Sequence, residues 1–204
     1  MTQKVSLRKG MWLLASFALL GLTVGRETEW LVVLPAALLH ETGHYLAARL
    51  CGVRVTGLRL GLLGARMELD GLLSYGREFW IALGGPLVNA VCALGVWGMV
   101  RCGLLHATKA WTLFAYASVG LGGLNLLPVG TMDGGRMLAA LISRWISPRA
   151  AEACLQATTV LCLGGLWLLS AYALLRGAPM MSAFVFCITL LLRYASPDGR
   201  QREV

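Results

Sequence analysis

His40, Glu41 and His44 stand in the order H-E-x-x-H inside an otherwise apolar stretch, ALLHETGHYLAARL, residues 37–50. On a helix four residues advance about 400°, so both imidazoles face one way, one turn apart. That spacing lets two rings hold one zinc ion, with Glu41 beside His40 to take a proton from the attacking water. Zinc lowers the pKa of the water it polarises to about 7, which makes hydrolysis feasible at neutral pH. With three histidines in 204 residues, the pattern would arise by chance about 0.001–0.002 times per chain. A charged side chain at the centre of a bilayer costs about 2.5–3.5 kcal/mol, so groups kept there need a reason.

A catalytic zinc site takes three protein ligands and leaves a fourth position open. Acids are almost absent from the apolar runs, and Asp133, in NLLPVGTMDGGR, is the candidate for the third ligand. Taken alone, D-G-G also reads as a helix cap at a turn. Pro128, Gly130, Gly134 and Gly135 predict a broken helix there, tolerated at membrane depth only where protein or a water-filled cavity surrounds it. A further candidate is ALGGPLVNA, residues 82–90. Gly85 and Pro86 allow a close approach or a break, and Asn89 places an amide in an apolar run. That amide suits either contact with substrate or a developing oxyanion, or a hydrogen bond between helices. Asn125 carries the same two readings.

The elements that must position these residues follow from hydropathy. Hydrophobic residues make up 57% of the chain and charged ones 14%, with a mean hydropathy of +0.69. That composition cannot cover a soluble domain with polar surface, and it predicts an all-α polytopic membrane protein. Apolar runs at 10–25, 29–50, 79–100, 111–131, 153–175 and 180–192 predict about six transmembrane helices. The first follows Lys4, Arg8 and Lys9 like a signal peptide, but no clear cleavage site follows, so it is read as an uncleaved helix. With a cytoplasmic N-terminus, fourteen of the 18 Lys and Arg residues fall on the inner side, the asymmetry expected with both termini inside. The second and fourth runs then both travel inward and carry His40, His44 and Asp133 to the same depth, near the cytoplasmic side. The stretch 52–78 alternates short apolar segments with glycines and predicts a small membrane-associated β-hairpin region. Residues 1–204 read as one membrane-embedded domain with a catalytic core at about 29–146.

HETGH, GGPLVN and NLLPVGTMDGG, in this order on three consecutive predicted spans, resemble the site-2 protease (M50) family of intramembrane zinc metalloproteases. The resemblance covers about residues 29–146. It implies zinc bound by His40, His44 and Asp133, Glu41 as general base, and Asn89 in substrate or transition-state contacts. Met132 stands where the family usually has leucine before the aspartate. Six spans without a PDZ domain look most like the sporulation subgroup, typified by stage IV sporulation protein FB. That subgroup usually carries a C-terminal CBS domain, which is not expected here. The resemblance implies cleavage within or near a transmembrane segment of a membrane-tethered protein, a sigma-factor precursor or another regulator. Partners would be that substrate, the lipid bilayer and a regulatory membrane protein, with homo-oligomers left open.

The competing class is non-enzymatic: a metal transporter, or a scaffold that keeps the fold. A transporter needs polar groups across the whole bilayer, whereas the ionisable groups here cluster on one side. An inactive relative would have lost Glu41 or a ligand. No basic stripe interleaved with aromatics points to nucleic acid. The six cysteines, without a CxxC pair, read as small buried hydrophobes. His106 reads as solvated, Glu68, Asp70 and Glu78 as partners of nearby arginines, and the tryptophans as interfacial anchors. An unwound substrate could add to the edge of the 52–78 hairpin.

Overall fold

The computed structural model describes residues 30–61, 64–69 and 73–177. Helix α1 (Trp30–Leu50) is followed by strands β1 (Val55–Gly61) and β2 (Gly64–Leu69), which pair in a two-stranded sheet. Then come α2 (Tyr75–Arg101), α3 (Lys109–Asn125), α4 (Asp133–Trp145) and α5 (Pro148–Leu175).

The inner face of α1 is a stripe at four-residue spacing. Ala36, His40, His44 and Ala48 are all buried, while Leu34, Leu38, Tyr45 and Leu46 are exposed on other faces. The helix ends where Gly52 takes φ +71, a left-handed conformation that costs glycine little. Ser74 caps α2, its hydroxyl accepting from the Arg77 N–H at 3.5 Å, and Thr108 caps α3 in the same way through Trp111. Ser147 accepts from the Ala150 N–H at 3.1 Å. Pro148 opens α5, a position where its missing N–H removes nothing.

Helix α2 is the central element, packed against α1, α3 and α4, and α1 also meets α3. Its buried residues include Ala82, Gly84, Gly85, Asn89 and Ala93. Small side chains let the helix backbones come close. The closest crossing is Gly43 of α1 against Gly84 of α2, where a Cβ on Gly84 would stand 2.5 Å from the Gly43 carbonyl oxygen. Large apolar residues point outward instead: Leu87, Val91, Leu94 and Trp97 of α2 are all more than half exposed. A polar, small-residue interior beneath an apolar exterior is the pattern of a protein whose solvent is lipid.

Two compact units divide the chain, and residues 27–60 with 64–159 form the unit that holds every candidate site residue. In the other, which takes up the chain from 160, Leu163 and Ser170 are buried, and the Ser170 hydroxyl donates to the Leu166 carbonyl at 2.8 Å.

The chain is mostly helical, as expected, but the span count is corrected. Among the described residues two helices, Tyr75–Arg101 and Pro148–Leu175, are long and apolar enough to cross a membrane. The run at 29–50 is helical, yet His40, Glu41 and His44 dilute its apolarity. The helix over the run at 111–131 spans Lys109–Asn125, 17 residues, and stops there, because Pro128 lacks an N–H and disfavours helix in the residue before it. The runs at 10–25 and 180–192 lie outside the described residues. Within 52–78, the strands end at Leu69 and Tyr75 already belongs to α2. Of the cysteines, Cys51, Cys92, Cys154 and Cys162 are half-buried and Cys102 is exposed. They are not fully buried as expected: Cys51, in the turn after α1, packs against the cluster of Ala48, Val53 and Ile81 with part of its surface open, and Cys187 lies outside the described residues.

Candidate metal centre

The register of α1 brings His40 and His44 to the same side, and α4 brings Asp133 to them across 93 residues of sequence. The chain leaves α3, turns through Pro128 and re-enters a helix at Asp133. That turn is pinned twice. The Met132 N–H donates to the Val129 carbonyl at 2.8 Å, and the Gly130 N–H donates to Thr159 Oγ1 at 3.0 Å. Met132 is the capping residue of α4 and makes no side-chain cap. Asp133 is therefore the first helical residue and leaves its carboxylate free of capping duty. A carboxylate there also sits at the positive end of the helix dipole.

His40 Nε2 lies 3.1 Å from Asp133 Oδ2, His44 Nε2 lies 3.1 Å from the same oxygen, and the two Nε2 atoms are 3.2 Å apart. The residues His40, His44 and Asp133 are 4%, 6% and 8% exposed. The triangle is nearly equilateral. Tetrahedral zinc with bonds of about 2.0–2.1 Å requires its ligand atoms to stand about 3.3 Å apart. The donor set therefore fits zinc in both chemistry and size, and among the described residues it is the grouping suited to a metal ion. Gly85 of α2 completes the cradle, since a Cβ there would fall 2.7 Å from His40 Nε2.

The groups behind the triangle fix its orientation. His44 Nδ1 meets the Ile81 carbonyl at 2.8 Å and, at a longer 3.3 Å, the Gly85 N–H; the shorter contact is to a carbonyl, which only accepts, so it favours the proton on Nδ1 and turns the Nε2 lone pair to the triangle. Arg136, one turn along α4, stands 3.9 Å from Asp133 Oδ1 and leaves Oδ2 to face the rings. Burial would raise the Asp133 carboxyl, but hydrogen bonds and charge from His40 and His44 outweigh it and hold it down to about 2. It is a carboxylate at any working pH.

The structure thus brings His40, His44 and Asp133 together, with Glu41 half-buried next to His40. Gly85 and Pro86 are buried beside them, where Gly85 serves the rings by lacking a side chain. Asn89 is completely buried and its amide meets His40 Nδ1 at 3.2 Å, behind the ring rather than beside the triangle. The Asn125 amide donates to the Leu121 carbonyl of its own helix at 3.0 Å. His106 is exposed. Sequence reasoning missed Ile81, Arg136 and Thr159. Arg136 was findable from its three-residue spacing to Asp133; a backbone carbonyl and a distant hydroxyl leave no sequence signal.

A helical fold with an apolar exterior and a buried two-histidine, one-aspartate centre defines a membrane-embedded zinc metallopeptidase class. Comparison with known proteins agrees. The model of peptidase family M50 matches residues 29–106 and 102–165. Stage IV sporulation protein FB of Bacillus subtilis is 27% identical over 187 residues, covering 89% of this chain and 63% of that protein. A zinc metalloprotease of Methanocaldococcus jannaschii is 28% identical over 117 residues, covering 56% of this chain and 34% of that protein. The solved site-2 protease from Methanocaldococcus jannaschii shares the fold with a TM-score of 0.63 at 20% identity, over 85% of this chain and 84% of that one. The chain spans less than two thirds of the length of these two sequence relatives. It belongs to peptidase family M50, and zinc is the metal its centre fits.

Proposed function

We propose that this chain is an intramembrane zinc endopeptidase that hydrolyses peptide bonds within or near transmembrane segments of membrane-tethered proteins. The observation that carries the reading is the buried triangle of His40, His44 and Asp133, with sides of 3.1–3.2 Å, and a glutamate adjacent to its first corner. In this reading His40, His44 and Asp133 hold the metal, which when bound supplies Lewis acidity for water and for the scissile carbonyl. Glu41 takes the proton from the attacking water and returns it to the leaving amine. The buried walls formed by α1, α2 and α4 exclude bulk water and keep the electrostatics strong.

A multi-pass arrangement is part of this reading: α1 and α3 run toward the cytoplasmic side and α2 and α5 away from it, and the cytoplasmic termini expected from the charge placement require the apolar runs at 10–25 and 180–192, outside the described residues, to cross as well. The excess of Lys and Arg in the segments assigned to the cytoplasmic side supports that orientation. The centre then lies near the cytoplasmic side, where a short route admits water. A substrate helix must unwind to expose its carbonyls, and an unpaired edge of the β1–β2 pair at the membrane surface would take the unwound strand. The resemblance to the sporulation relative favours a membrane-tethered regulator, such as a sigma-factor precursor, as substrate.

The test is co-expression of the chain with membrane-tethered candidate substrates, comparing wild type with Glu41→Gln. That substitution keeps the shape of the site and its metal while removing the base. Processing should fall by about 10²–10⁴-fold, the usual contribution of a general base; equal processing by both proteins would refute the assignment.

A further inference from the structure

Asn89 touches neither the metal triangle nor open space. It is fully buried, and its Oδ1 has no hydrogen-bond partner while Nδ2 stands 3.2 Å from His40 Nδ1. A buried amide oxygen without a donor is uncommon and calls for an explanation. The chemistry of His40 decides which end of the amide faces the ring. An imidazole carries one proton when neutral. If Nε2 is to offer a lone pair to a metal, the proton must sit on Nδ1. The only neighbour described at Nδ1 is the Asn89 carboxamide. With Nδ2 toward the ring, two donors would face each other. A half-turn of the carboxamide changes no shape and puts Oδ1 opposite Nδ1–H, while Nδ2 takes the place where no partner is described; the match at the His40 ring, not the orphan atom, is what favours this orientation.

We propose that Asn89 is a positioning residue for His40: its Oδ1 accepts from Nδ1–H and thereby fixes the ring in the tautomer that can bind metal. This rests on the zinc reading above and departs from the substrate contact that the family resemblance implies for this asparagine. The two rings are then held in different ways. His44 is locked by the Ile81 carbonyl, which can only accept. His40 is held by a group that is an acceptor at one end and a donor at the other. With Nδ2 toward the ring, the opposite tautomer is served, and Nε2–H donates to Asp133 Oδ2 at 3.1 Å. Once a metal takes the Nε2 lone pair, only the orientation with Oδ1 toward Nδ1–H remains matched, and Asn89 supplies it without placing a charge in the helix interior, where an aspartate would bring one.

The experiment measures zinc affinity of the full chain in detergent by competition with a chromophoric chelator, for wild type, Asn89→Leu and Asn89→Asp. Leucine keeps the bulk and removes the acceptor; aspartate keeps an acceptor. Loss of an outer partner of a metal-binding histidine costs about 10–100-fold in metal affinity. Asn89→Leu should lose that much, and Asn89→Asp should stay within about threefold of wild type or bind more tightly. Substrate cleavage followed in parallel separates this role from contact with substrate. Asn89→Leu with wild-type zinc affinity but poor cleavage would overturn the proposal and return Asn89 to the substrate. If Asn89→Leu does not fold, Asn89→Asp decides alone: a tenfold loss of zinc overturns the proposal and retention supports it. Wild type that takes up no zinc would bring down the metal reading and this inference together, whereas wild type that binds zinc with all three proteins alike would bring down this inference only.

Discussion

Gly85 faces His40 across the α1–α2 interface so closely that a single added carbon would stand 2.7 Å from the Nε2 atom. The same carbon would also press on the His44 ring. Neither ring can retreat, because His44 is tied to Ile81 at 2.8 Å and His40 lies against Asn89. Gly85→Ala is therefore expected to displace both rings from the triangle. Zinc affinity should fall by about tenfold or more, as when an orienting group is lost, and cleavage by about 10²-fold, the usual effect of a 1 Å misplacement. Chelator competition and a cleavage assay on the same purified material check both numbers.

Asp133 can be separated into its charge and its shape. Asp133→Asn keeps the size of the side chain but offers a neutral amide to the two rings. Hydrogen bonds and charge from its histidine neighbours hold the carboxyl low, down to about 2, so the wild-type side chain offers a carboxylate to the rings. Asp133→Asn should weaken zinc by about tenfold or more and bring cleavage near background, since a carboxylate ligand is lost. Zinc content measured by elemental analysis should drop in step. Full zinc occupancy in the variant would remove Asp133 from the ligand set.

Two glycines of the core and one on the surface should respond in opposite ways. Gly43 and Gly84 meet backbone to backbone, and a Cβ on Gly84 would also stand 2.7 Å from Ala47 Cβ. Gly84→Ala forces α1 and α2 apart and should cost about 1–3 kcal/mol, the usual range for overpacking. Gly95, on the same helix, has nothing within 4 Å of its would-be Cβ. Gly95→Ala should be neutral or stabilising by up to about 1 kcal/mol, the helix-propensity difference. Thermal unfolding in detergent, followed by a tryptophan or thiol probe, compares the two directly.

The parts of this centre that were readable in the sequence are those set by local geometry. His40 and His44 are four residues apart, and any helix puts them together. Asp133 was reachable because apolar runs, taken as parallel elements, bring distant residues to one depth. The break at Pro128 was foreseen, but helix α4 was not set out as an element of its own, because the apolar run at 111–131 does not show the stop at Asn125. Its own signal was present in DGGRMLAALISRW, where Met137, Leu138, Leu141 and Ile142 recur at helical spacing. Which of the two readings of Asn89 applies was not legible for a different reason. Sequence shows that an amide lies in an apolar run, but which neighbour it meets depends on the rotation of α2 against α1. Of the six runs expected to span, two lie outside the described residues, and of the other four two form helices long and apolar enough by themselves; active-site residues in α1 and the stop at Asn125 in α3 lower the apolarity or length of the rest.

The strand pair offers a separate handle on substrate. In a two-stranded sheet each strand keeps one unpaired edge, and such an edge can accept a further strand through main-chain hydrogen bonds. Met67→Pro, within Gly64–Leu69, removes a backbone N–H and fixes φ. Cleavage should fall while zinc affinity stays at the wild-type value, because β2 contributes none of the three metal-facing atoms. Unaltered cleavage would remove the sheet from the substrate path.

The turn that carries Asp133 depends on a hydroxyl 26 residues further on. Thr159 is 1% exposed, and its Oγ1 accepts from the Gly130 N–H at 3.0 Å. Thr159→Val keeps the shape of the side chain and removes the acceptor. The Gly130 N–H is then left without its partner, at a cost of about 1–3 kcal/mol. The loss falls on the segment between Asn125 and Asp133, so the third corner of the triangle should wander while the two rings stay in place. A weaker hold on zinc with unchanged helix content, measured by chelator competition and circular dichroism, is the expected result. Thr159→Ser, which keeps the hydroxyl, should recover most of the affinity. If valine and serine bind zinc equally well, the hydroxyl does not position Asp133.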